Sequence, residues 1–132
     1  MPVQCSYDYA VVRIVPRVER EEFINVGVIM SCPAKNFLDA RIELDEQRLR
    51  VLDPSADVEA VRAHLASIPV ICAGGPQAGA IGRLAPRERF HWLVAPRSTI
   101  IQTSPAHAGQ CTDAQQTLER LFDLMVRTSQ AG

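Results

Sequence analysis

Aromatic residues make up only 5% of this 132-residue chain: one Trp, two Tyr and four Phe. Nucleic-acid platforms stack bases on exposed aromatics interleaved with basic residues, so this scarcity argues against nucleic acid as a partner. The formal net charge of -1 removes long-range attraction to phosphate backbones as well. No run reaches the ~20 apolar residues of a membrane span. Met1-Pro2-Val3-Gln4-Cys5 lacks the basic start and apolar core of a signal peptide. The expected setting is therefore the cytoplasm, away from a membrane. The four cysteines, Cys5, Cys32, Cys72 and Cys111, are scattered without a C-x-x-C pair. That spacing excludes a zinc knuckle, and in this setting it argues against disulfide staples. They read as small core hydrophobes. Internal repeats, heptad arrays and low-complexity tracts are also missing.

What is present, 47% apolar and 22% charged residues, suits one globular domain over 1–132 with a real core. The run Glu22 to Met30 organises it. Ile24, Val26, Val28 and Met30 occupy one alternate set and Phe23 and Ile29 the other, which is how a central strand covered on both faces reads. Tyr7 to Val15 is a strand ended by Pro16, and the charged connection Arg17 to Glu22 makes a long-looped hairpin of the two. After a turn at Ser31 to Asn36, Phe37 to Leu44 alternates cleanly and completes a three-strand meander. Ser98 to Thr103 is a later fourth strand, beside the first or the third.

Helices supply the covers. Asp45 caps a short one reaching Leu52, and Asp53-Pro54 ends it and opens the next, whose stripe Val58, Val61, Leu65 and Ile68 stops at Pro69. Pro86 starts another short helix to about Val94, with Phe90, Trp92 and Leu93 as core. The last helix runs from a T-x-x-Q capping box at Thr112 and Gln115 to Arg127, along Leu118, Leu121, Phe122 and Met125. Residues 73–85 form a Gly-rich loop, 106–111 a second loop, and 129–132 a frayed end. The fold class is α+β: an antiparallel sheet of about four strands packed by two main helices and short ones.

Pairing outward from the turns sets Arg13 opposite Asn25, Val11 opposite Gly27, and Gly27 opposite Ala40. Arg13 and Asn25 then share the face of Leu38, Ala40 and Ile42, over a depression at Gly27. Their polar groups need partners there, with Glu22 or a backbone carbonyl as acceptor for Arg13. Arg13, Glu22, Asn25 and Gly27 are thus either a structural polar latch or a ligand site.

A second constellation follows the Gly-rich loop. Arg83, Arg87, Arg89 and Arg97, with one acid between them, could clamp a phosphate, and His107 could serve as acid or base. The glycines match neither G-x-x-x-x-G-K-[ST] nor a strand-associated G-x-G-x-x-G, so no nucleotide fingerprint accompanies them. Ser104 near His107 lacks a G-x-S-x-G elbow, and His107 with Cys111 would need two further metal ligands, for instance His64 or His91. No metal or cofactor is expected.

Tyr7-Asp8-Tyr9-Ala10-Val11-Val12-Arg13, Pro16, Arg20-Glu21-Glu22-Phe23-Ile24-Asn25-Val26-Gly27-Val28, Arg89-Phe90 and Ser104-Pro105 together resemble family 3037 of the bacterial domains of unknown function. The resemblance spans nearly the whole chain. It carries no established activity, and it implies a neighbourhood with HipA-like kinases. The leading expectation is a non-enzymatic interaction module, the accessory partner of a HipA-like kinase, with homodimerisation through a sheet edge as a related possibility. The alternative is a small enzyme or sensor that binds a phosphate or nucleotide ligand through the Arg cluster.

Overall fold

The computed structural model describes residues 3–97 and 99–127. Ser98, the first residue of the expected fourth strand, and the expected frayed end at 129–132 lie outside them. The elements in chain order are β1 (Cys5–Ile14), β2 (Ile24–Cys32), β3 (Phe37–Ile42), α1 (Glu46–Leu52), α2 (Val58–Ala73), α3 (Pro86–Leu93), β4 (Ile101–Thr103), β5 (His107–Cys111) and α4 (Ala114–Phe122). A π-helical turn, Asp123–Arg127, prolongs α4. All strands pair antiparallel in the order β3-β2-β1-β4, and β5 pairs with β1 beyond β4.

Every residue of β2 except Asn25 is buried, as a strand covered on both faces requires. One cover is α1, α2 and α3, whose Leu49, Val61, Leu65, Ile68 and Phe90 pack on Val12, Ile14, Ile24, Val26 and Ile29. The other is α4, whose Leu118, Leu121 and Phe122 pack on Tyr7, Val28, Met30 and Cys32. Three layers result. No single helix among the described residues is long and apolar enough to cross a membrane.

The apolar residues of β2 change faces partway along it, and the ladder shows why. Val12 pairs with Gly27 but Arg13 pairs with Asn25, so Val26 is an extra residue in β2, a β-bulge. The expected pairing of Arg13 with Asn25 holds. Beyond the bulge it does not: Val11 lies opposite Val28, and Gly27 opposite Ile42 rather than Ala40. The same extra residue puts Asn25 on the α4 face, while Leu38, Ala40 and Ile42 pack on the α2 side.

The expected loop at 106–111 is mostly strand. β4 and β5 form one interrupted strand along β1, jointed at Ser104-Pro105 because proline has no N–H for a ladder. Buried Ser104 bridges the gap: its N–H donates to Val11 O at 2.9 Å, and its Oγ accepts from Val11 N–H at 2.9 Å. β4 thereby lies beside the first strand.

Helix boundaries also depart from expectation. Pro69 does not stop α2, which continues to Ala73. A helical proline costs about 3 kcal/mol, and carrying Ile71 and Cys72 into the core offsets it. Pro54 lies in the turn before α2, and Asp57 is the cap, accepting from Ala60 N–H at 3.0 Å. In the last helix Asp113, not Thr112, is the cap, accepting from Gln116 N–H at 3.0 Å. Asp45 caps α1 as expected.

Candidate functional site

The arginines after the Gly-rich segment do not converge. Arg89, 9% exposed, donates to Leu84 O at 2.6 Å and to Cys72 O at 3.2 Å. It sits at the carbonyl end of α2, where the helix dipole favours a cation. Gly74 closes that end at φ +76°, and a Cβ there would stand 2.9 Å from the Arg89 Cζ. Arg97 caps α3 in the same manner, donating to Trp92 O at 2.6 Å and Leu93 O at 3.1 Å. Arg87 reaches the sheet instead, to Asp8 at 2.5 Å and Ser31 Oγ at 3.1 Å, two residues paired across β1 and β2. Arg83 is exposed beside a hollow lined by Gly75, Pro76, Gly79 and Ala80.

His107 lies against Tyr9 on the neighbouring strand, with ring centroids 5.4 Å apart and planes tilted by 38°. Ser104 Oγ donates to Pro105 O at 3.0 Å while accepting from Val11, which leaves it no part in a dyad with His107. The Gly-rich segment is itself ordered as 3-10 turns over Pro76–Arg83, closed by Gly75 N–H donating to Gly82 O at 3.1 Å.

Of the residues at the hairpin base, Asn25 has a hydrogen bond that reaches another layer. Asn25 Nδ2 donates to Met125 O at 3.0 Å, tying β2 to the turn after α4. Arg13 lies across from it with its guanidinium 4.3 Å from the Phe23 ring centroid. Glu22, the expected acceptor, pairs with Arg20 at 2.5 Å. Among the described residues, Arg13 Nε and Asn25 Oδ1 are buried without a hydrogen-bond partner. The depression expected over Gly27 is filled, because a Cβ there would meet Ile42 Cδ1 at 2.5 Å and Arg41 O at 2.7 Å. The glycine serves close strand packing.

A different concavity emerges where the sheet stops short. β4 has only three residues, so the flank of α2 and the end of α3 overhang it and leave a groove of about 230 Å³. Ile68, Leu93 and Ile101 line it on the inside; His64, Trp92 and Gln102 carry its polar and aromatic groups. Trp92, expected in the core with Phe90 and Leu93, is 40% exposed, whereas its two neighbours are buried. The Arg97 guanidinium stacks on its ring at 4.4 Å from the centroid and fixes the indole at the rim. The signal in the sequence was helical spacing: Phe90 and Leu93, three apart, share a face that Trp92 does not.

A family described as Protein of unknown function (DUF3037) matches residues 9–126. The chain belongs to that family. No curated protein and no solved structure matches it. The DUF3037 match takes in all three layers of the domain, the Asn25 fastening and the whole groove.

Proposed function

We propose that this DUF3037 chain is a non-enzymatic protein-interaction module, the accessory partner of a HipA-like kinase, and that it docks through the α2–α3–β4 groove. The observation that carries the reading is Trp92: a large aromatic side chain, 40% exposed, propped by Arg97 over an apolar cleft. Tryptophan and arginine around a pocket are the residue types that dominate binding energy at protein interfaces. The kinase is the partner that the family resemblance implies. The dispersal of Arg83, Arg87, Arg89, Arg97 and His107 gives the phosphate-ligand alternative no shared clamp to use.

The test is co-purification of the tagged chain with the neighbouring kinase, in wild type and two variants. Trp92→Ala removes the rim aromatic, and Ser67→Arg, at an exposed α2 position lining the groove, fills it without touching the core. Both should weaken recovery about ten-fold or more while circular dichroism stays unchanged. Undiminished recovery in both variants refutes the groove, and no recovery in the wild type refutes the partnership.

A further inference from the structure

Three of the four cysteines, distant in sequence, meet in one place. Cys5 opens β1 and Cys111 closes β5, and the two are direct cross-strand partners. Cys32, the last residue of β2, shares with Cys111 the core under α4. Cys32 and Cys111 are buried, whereas Cys5 is partly open to solvent. The fourth, Cys72, belongs to the other core, where burial pushes its thiol up to about 12.

Direct antiparallel partners have Cα atoms about 4.5 to 5.5 Å apart, inside the disulfide range of about 4.4 to 6.8 Å. We propose that Cys5 and Cys111 are a thiol–disulfide site: they form a reversible bond by exchange with a low-molecular-weight disulfide, and Cys5 is the thiol that meets it. Cys5 gives its proton to water and attacks one sulfur of the reagent. The reagent's S–S bond breaks, one of its halves leaves and is protonated as a thiol, and Cys5 carries the other half as a mixed disulfide. Cys111 then gives up its proton and attacks the Cys5 sulfur. The mixed bond breaks, the second half leaves as a thiol, and the Cys5–Cys111 bond remains. Two electrons have passed from the two cysteines to the reagent. The bond ties the first strand to the last beside β2.

Exchange with oxidised glutathione tests this. The reduced chain is incubated with it, remaining thiols are alkylated under native conditions, and peptides are mapped without reduction. The expected result is a peptide pair joined through Cys5 and Cys111, an intact mass lower by about 2 Da, reversal by dithiothreitol, and no reaction at Cys72. Cys5→Ser, shown folded by circular dichroism, should carry neither the bond nor a glutathione adduct on Cys111. A wild type that stops at the Cys5 adduct, that links Cys111 to Cys32, or that stays unmodified overturns the proposal. So does a Cys5→Ser chain whose Cys111 still takes up glutathione.

Discussion

Replacing Arg89 by Ala decides whether the arginines after the Gly-rich segment build the fold or await a ligand. The side chain is 9% exposed, and the substitution strips donors from Leu84 O, before α3, and from Cys72 O at the carbonyl end of α2. Hydrogen bonds from a charged donor contribute about 1.5 to 3 kcal/mol each. The desolvation cost of the buried guanidinium, whose Nε lacks a partner among the described residues, subtracts from that sum. A net loss of about 2 to 4 kcal/mol is expected. With a urea m-value of about 2 kcal/mol/M, the midpoint should fall by about 1 to 2 M at constant m. Arg89→Lys, which keeps the charge but cannot reach both carbonyls from one planar group, should recover only part of the loss. A loss below about 0.5 kcal/mol for the alanine variant refutes the reasoning, because a dispensable buried arginine has another use.

Gly27→Ala forces a methyl against Arg41 O, a backbone atom that cannot step aside, and should cost about 1 to 3 kcal/mol; an unchanged melting temperature contradicts the close strand approach. Ser104→Ala leaves the Val11 N–H without its acceptor at the joint of β4 and β5, costing about 1 to 3 kcal/mol and speeding amide exchange at Val11. Unaltered exchange there would show that the hydroxyl does not hold the joint. Glu43 is held below the usual carboxylate range, first by its hydrogen bond from Arg127, against the opposing effect of desolvation. The unfolded chain therefore binds more protons than the folded one. This contribution is complete above the ordinary Glu value of about 4.3 and is lost as pH falls through the lower folded value. Stability should decline less steeply on acidification in Glu43→Gln, and identical pH profiles for the two proteins would argue against the pair.

Features that depend on local pattern were legible in the sequence. A strand apolar at both alternate sets became the buried centre of the sheet, and the stripe Leu118, Leu121 and Phe122 became the seam of α4. Asp45 capped its helix because capping is settled within three residues. What escaped depends on contacts between distant segments. The bulge at Val26 shifts the register by one residue, and no local pattern marks it. β5 carries His107, Ala108, Gly109 and Gln110, a poor strand by propensity, yet it pairs because β1 offers a free edge and the Tyr7 ring covers Gly109. Pro69 reads as a helix stop on its own, and only the core that receives Ile71 and Cys72 overrides it. The arginines looked like a cluster because they are near in sequence. In space Arg89 and Arg97 serve the ends of α2 and α3, Arg87 serves the Asp8–Ser31 pair, and Arg83 is exposed. The cysteines looked scattered for the converse reason.

Hydrogen–deuterium exchange of the chain with and without a HipA-like kinase, the partner proposed above, tests the docking claim most directly, since it locates a contact as well as detecting one. Residues 92–97 and 99–103, with the exposed flank of α2 around His64 and Ser67, should gain protection when the kinase is in excess, while Phe37–Ile42 on the opposite edge of the sheet keeps its free-state rate. Protection confined to Phe37–Ile42, or no protection anywhere at saturating kinase, contradicts the account.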